Sequence, residues 1–282
     1  MNKKVLILGA SGMLGNTLFK YLSTRKYDVY GTVRDLNSND LFSEVLRNKL
    51  MLFNYPGAIE NIFSDINPDY VINCIGIIKQ RSKETSTLEQ ILINSVLPHY
   101  LEKVCKVYNA KLIQISTDCV FLGDKGMYTE TDTPDAIDLY GRTKWLGEVI
   151  SPNAVTLRTS IIGRELYGRY SLIDWFLSQD KSVNGFKSAI FSGFPTIELA
   201  RIIDEFVIPN SALQGIYHVS SNPISKYDLL KLVASEYGKE IEIIEDGSMK
   251  IDRSLDSSKF KAATGFTSKP WPDLVHSMHR FG

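Results

Sequence analysis

Tyr140 and Lys144 stand four residues apart in the run Tyr140-Gly141-Arg142-Thr143-Lys144. On a helix that spacing puts a phenol and an ammonium on one face. A free phenol titrates at about 10, too high for proton work at neutral pH, and a nearby cation favours tyrosinate and lowers that value. The two are therefore a candidate acid–base pair. Spacing alone is weak evidence, because Tyr227 and Lys231 repeat it. Context separates the pairs. Tyr140 follows an apolar run ending Ile115-Ser116-Thr117-Asp118, which delivers hydroxyls to the carboxyl edge of a sheet, where ligands bind. Tyr227 lies in a late helical stretch without such a partner and reads as surface or packing.

A second chemistry-bearing run is Gly9-Ala10-Ser11-Gly12-Met13-Leu14-Gly15, directly after the first apolar run. Glycines at this spacing let a strand turn tightly into a helix whose free N–H groups meet a pyrophosphate. Gly9, Ser11, Gly12, Met13, Leu14 and Gly15 are thus expected along a dinucleotide. The end of the second strand reads Gly31-Thr32-Val33-Arg34. An acidic residue there would hold the ribose 2′-hydroxyl of NAD, whereas Arg34 suits a 2′-phosphate. NADP(H) is preferred, and Asp35 keeps NAD(H) open.

The elements that position these residues alternate. Strands are expected at Val5–Leu8, Asp28–Val33, Lys49–Phe53, Tyr70–Ile75 and Lys111–Ser116. Between them lie a helix through Leu14, Leu18 and Leu22, another beginning near Pro56, and a long segment from Thr87 to Tyr108 that Pro98 should kink or divide. Such alternation implies an α/β, Rossmann-type doubly wound parallel sheet covered on both faces. Beyond about residue 160 the rhythm is irregular. The reading is a cofactor unit over 1–160 and a smaller C-terminal α/β substrate-binding unit over 161–282, with the chain free to cross back.

Composition bounds the partners. The 282 residues carry 32 Lys+Arg against 32 Asp+Glu, so no general nucleic-acid footprint is present. The three cysteines show no paired spacing, which fits a reducing, cytoplasmic compartment and argues against a cysteine zinc site. The run Val5–Leu8 is too short for an export signal, and no stretch is long and apolar enough for a membrane helix. The four histidines do not cluster, and no metal is expected.

At this point a resemblance becomes specific. The glycine run, Asn73, Asn94, Ser116-Thr117-Asp118-Cys119-Val120-Phe121, Tyr140–Lys144 and Leu157-Arg158-Thr159-Ser160 occur in the order found in extended short-chain dehydrogenases/reductases. The sequence most resembles their dTDP-4-dehydrorhamnose reductase branch. Phe194-Pro195-Thr196 and Arg253-Ser254-Leu255-Asp256-Ser257-Ser258-Lys259 extend the likeness through nearly the whole chain. The resemblance implies reduction of a nucleotide-linked keto sugar, with Thr117, Tyr140 and Lys144 as the catalytic trio. It places Thr117, Asp118 and Arg253 against a nucleotide-diphosphate sugar, and Asn94 in a supporting role. Lys79, Arg81 and Lys83 form a basic cluster that reads as a diphosphate contact or a solvated loop face.

Two departures stand out. Cys119 replaces the tyrosine usual in the rhamnose enzymes, and Ile161-Ile162-Gly163 lacks their sugar-lining tryptophan. Cys119 reads as a half-buried small residue without an activating partner, not a nucleophile. These changes leave the sugar undefined. Other readings are a dehydratase or epimerase of the same superfamily, or a non-catalytic NADP-binding regulatory subunit. A dehydratase would carry a glutamate at the Cys119 position. A homodimer stays open.

Overall fold

Strand β1 (Lys3–Leu8) shows how the sheet is built: Val5 and Ile7 pack into one apolar cluster, while Leu6 and Leu8 pack into the other. Successive side chains of a strand point to opposite faces, so a strand apolar at every position must be covered on both. In the computed structural model, which describes residues 2–35, 42–81, 84–166 and 171–282, five more strands join β1 in the main sheet. They are β2 (Tyr27–Val33), β3 (Leu50–Leu52), β4 (Tyr70–Asn73), β5 (Lys111–Thr117) and β6 (Ala154–Thr159). All pair in parallel, in the order β3-β2-β1-β4-β5-β6. The order reverses between β1 and β4, and that switch point opens a crevice at the carboxyl edge.

The helices of this part are α1 (Met13–Ser23), the one-turn α2 (Glu44–Arg47), α3 (Glu60–Ile66), α4 (Thr87–Ile91), α5 (Leu97–Val107) and α6 (Leu139–Leu146). Residues of α3 and α5 fill the cluster with Leu6 and Leu8, and residues of α1 fill the other. Pro56 does not start α3. The chain turns at Gly57, whose N–H donates to the Asn54 carbonyl at 2.6 Å, and the helix begins at Glu60. The long segment expected from Thr87 to Tyr108 is divided by a π-turn over Leu92–Val96, which precedes Pro98. Pro98 then lies in the first turn of α5, directly after the π-turn, where the helical hydrogen-bond ladder is already interrupted.

The remainder is built from short pieces: β7 (Ile161–Ile162), α7 (Leu172–Leu177), β8 (Ser182–Phe186), β9 (Ala189–Phe191), β10 (Phe194–Pro195) and α8 (Thr196–Ile202). The chain then returns to the main sheet as β11 (Gly215–His218), parallel to β6 and its seventh strand. After β11 come β12 (Ile224–Ser225), α9 (Lys226–Glu236), β13 (Glu242–Asp246), β14 (Ile251–Asp252), α10 (Ser258–Thr264) and α11 (Trp271–Phe281). Strand β13 pairs with β8, while β9 lies between β12 and β14 in a small sheet of its own. Apolar residues of α8 and α11 share one cluster with those of α1. Among the described residues, no helix is long and apolar enough to cross a membrane.

Candidate active site

The glycine run forms the tight turn between β1 and α1. A Cβ on Gly15 would lie 2.1 Å from the Gly9 carbonyl oxygen, so only glycine lets the helix start this close to the strand. The turn is anchored to β2: the Gly9 N–H donates to Thr32 Oγ1 at 3.1 Å and the Ala10 N–H to the Thr32 carbonyl at 2.8 Å. Gly12 is the N-cap of α1 and offers no side chain, which leaves the first N–H groups of the helix free to meet an anion. Ser11 and Met13 are half-buried, whereas the Leu14 side chain belongs to the core, so only its backbone can face a cofactor. Arg34 leaves the end of β2 with an exposed side chain, its carbonyl accepting from Asn54 Nδ2 at 3.1 Å.

Strand β5 ends at Thr117 and runs into a 3₁₀ turn over Asp118–Val120, which Thr117 caps by accepting from the Cys119 N–H at 3.1 Å. Helix α6 begins opposite this turn. Its N-cap Asp138 accepts from the Gly141 N–H at 2.8 Å. A Cβ on Gly141 would lie 2.3 Å from the Cys119 carbonyl oxygen, so the glycine after Tyr140 is what lets α6 sit against the turn. The result is that the Tyr140 phenol faces the Thr117 hydroxyl. One turn on, Lys144 is buried and its ammonium donates to the Ile115 carbonyl at 2.7 Å.

The electrostatics differ from the expectation drawn from spacing. Burial pushes the Tyr140 phenol up, and the neighbouring Cys119, Asp118 and Asp138 push the same way against the Thr117 hydrogen bond. Lys144 does not pull it down, because the ammonium is turned toward β5 and its charged neighbour is Glu148. Burial in turn pushes Lys144 down to about 8. Tyr140 therefore keeps its proton, as a donor must.

Asp118 is pushed up by burial and held back by Arg253. Arg253 donates from Nε to the Phe121 carbonyl at 2.7 Å and brings Nη1 to 4.0 Å from Cys119 Sγ. Burial and the Asp118 carboxyl push the Cys119 thiol up to about 12, so it stays a thiol. Of the basic loop cluster, Lys79 is paired with Asp138 at 2.7 Å. The Arg81 side chain and Lys83 lie outside the described residues.

With this geometry the sequence matches the RmlD substrate binding domain family over residues 3–280. The chain belongs to that family. A dTDP-4-dehydrorhamnose reductase of Aggregatibacter actinomycetemcomitans is 28% identical, over 99% of each chain. Methionine adenosyltransferase 2 subunit beta of Xenopus laevis is 26% identical, over 96% of this chain and 79% of its own. A dTDP-4-dehydrorhamnose reductase of Bacillus anthracis solved in complex with NADP has the same fold, with a TM-score of 0.79 at 21% identity and complete coverage of both chains. A hypothetical dTDP-4-dehydrorhamnose reductase from Sulfolobus tokodaii gives 0.76 at 27% identity, over 95% of this chain and 98% of its own.

Around the trio, this RmlD-family chain uses buried amides as clamps. Asn94 sits in the π-turn, accepts from the Ile77 N–H at 2.9 Å and donates to the Ile77 carbonyl at 3.1 Å. It also donates to Thr143 Oγ1 at 3.2 Å, so it ties the loop after β4 to α6 between Tyr140 and Lys144. Asn73 donates to Gln114 Oε1 at 2.8 Å and accepts from the Ile75 N–H at 3.1 Å, which orders backbone at the switch point. Behind the site, Glu148 holds Arg158 through two bonds of 2.7 Å and accepts from Ser116 Oγ at 2.8 Å. Arg158 Nη1 lies 3.2 Å from His218 Nε2.

Sequence reasoning missed Glu148, His218 and Lys226, whose ammonium faces Asp118, Cys119 and Arg253. For Glu148 and His218 the only signal is a polar residue inside an apolar run; for Lys226 there is none. Tyr227, of the second Tyr–Lys pair, would meet a Cβ on Gly185 at 2.7 Å and stacks under Lys231, so it packs on β8.

Proposed function

We propose that the chain is an NADPH-dependent reductase of a keto group, at C4, on a nucleotide-linked deoxy sugar. The observation that carries the reading is the proton-bearing Tyr140 phenol set against the Thr117 hydroxyl at the carboxyl edge of β5, with Lys144 buried one turn away. The open N–H groups at the start of α1 and the exposed Arg34 fit a dinucleotide with a 2′-phosphate. NADPH, when bound, supplies the hydride. Thr117 orients the ketone oxygen, and Tyr140 donates its proton to that oxygen as charge develops there. Lys144 holds the ribose hydroxyls, and Asp118 and Arg253 meet the sugar and its diphosphate.

In this reading residues 1–160 form the cofactor unit and 161–282 most of the substrate unit. Unpaired cysteines, the three free thiols Cys74, Cys105 and Cys119, suit a cytoplasmic enzyme. A second reading, a nucleotide-binding subunit of a larger assembly, takes its support from the Xenopus laevis relative.

The test mixes purified protein with NADPH or NADH and a panel of 4-keto nucleotide sugars and follows absorbance of the reduced nicotinamide. Turnover with a preference for NADPH is expected. Tight nucleotide binding without turnover on any sugar would overturn the reductase in favour of the subunit, and a strong preference for NADH would overturn the role of Arg34.

A further inference from the structure

The small sheet β12-β9-β14 does something the main sheet does not: it carries two cations to the rim of the active site from distant parts of the chain. Ser225 and Asp252 both pair with Ile190, one from each side of β9. The residues that follow them are Lys226 and Arg253. Lys226 opens α9, held there by Ser225, whose Oγ accepts from the Asp228 N–H at 3.0 Å. Its half-buried ammonium faces Asp118, Cys119 and Arg253.

Lys226 is placed at a cost. It loses hydration, which pushes it down, and it stands at the positive end of an 11-residue helix, where a cation is disfavoured. Among the described residues its ammonium has no hydrogen-bond or ion-pair partner, whereas the neighbouring Lys79 is matched by Asp138. Arg253 likewise meets a carbonyl and a thiol rather than a carboxylate at bonding distance. Asp118 is the one acid both cations face, and its carboxyl is engaged by Thr117, Cys119 and Ser160. Asp138 also lies near Arg253 but is matched by Lys79, so Lys226 and Arg253 beside the engaged Asp118 leave positive charge over the turn that holds Thr117.

We propose that Lys226 is a substrate-binding residue that, with Arg253, holds the sugar-proximal phosphate of the nucleotide-linked substrate. A phosphate between them has oxygens enough for both, and Arg253 is already fixed by its bond to Phe121. Lys226 thereby adds to the hold on the substrate at its phosphate, without touching or aligning the reacting carbonyl. The proposal rests on the reductase reading for the identity of the ligand.

Binding and turnover test it separately. Lys226→Met is expected to weaken binding of a nucleoside diphosphate about 10- to 100-fold in calorimetry, with little change for the corresponding monophosphate. Lys226→Arg is expected to restore most of the loss. In turnover, Lys226→Met raises KM for the nucleotide sugar and leaves kcat and KM for NADPH within about threefold. An unchanged preference for diphosphate over monophosphate overturns the proposal. So does a KM penalty confined to sugars that carry a carboxylate, which would make the sugar acid the ligand. Wild-type protein that binds the diphosphate through Lys226 but reduces no sugar would sink the reductase reading while leaving the phosphate site standing.

Discussion

At the scale of single residues, the site divides proton work between a tyrosine that keeps its proton and a lysine that is reluctant to hold one. Tyr140→Phe removes the phenol donor placed beside Thr117 and is expected to lower kcat by about 10²- to 10⁴-fold, with NADPH affinity unchanged by fluorescence titration. Lys144 makes a prediction about stability. Its folded value near 8 lies below the ordinary 10.5, so the unfolded chain binds the extra proton between those values. Stability therefore rises with pH through that window, and the burial penalty is largest below about 8. Lys144→Met is expected to melt higher than wild type at pH 7, with the gap closing toward pH 10 in parallel thermal scans, while turnover is lost. The identities of Thr117, Tyr140 and Lys144 are legible in the sequence because each carries its chemistry in its type and its place after a strand. The direction of the Tyr140 shift is not legible, since it depends on where the lysine ammonium turns and on which carboxyls the fold brings near.

At the scale of elements, close approach decides the geometry. Gly141 lets α6 rest on the turn after β5, and the methyl group of Gly141→Ala would meet both the Cys119 carbonyl at 2.3 Å and Ala136 Cβ at 2.5 Å. The helix must move by a fraction of an ångström or more, taking Tyr140 away from Thr117. The variant is expected to fold, by its circular dichroism, and to lose about 10²-fold in kcat, the scale of a misplacement of that size. The alternation of strands and helices up to β5 was readable because apolar runs and helical spacing repeat. The π-turn that holds Asn94 was not, because nothing local distinguishes it from the helices on either side. The start of α3 was misplaced for a related reason: Pro56 is as much at home in the turn that Gly57 closes as at a helix N-terminus.

At the scale of the whole molecule, β11 and the buried Glu148–Arg158–His218 chain join the late part of the sequence to the sheet that carries the site. This long-range pairing is invisible to local patterns, because β11 finds β6 only after more than fifty residues of intervening chain. His218 is fully buried and pushed down to about 4 by burial and by the charge of Arg158. The unfolded chain binds the proton first as pH falls from 6.5, so this contribution is present above that pH and is lost on the way to 4. Urea melts between pH 7 and 4 are expected to show a loss of roughly 3 kcal/mol that His218→Phe abolishes. The account as a whole turns on whether the cofactor gives its hydride to a sugar. A single-turnover reaction with excess protein, deuterated NADPH and a 4-keto nucleotide sugar decides it by mass and NMR of the product. One deuterium at C4 of the sugar, formed by wild type and not by Tyr140→Phe, is the predicted result; deuterium retained on bound nicotinamide with every sugar offered would contradict it.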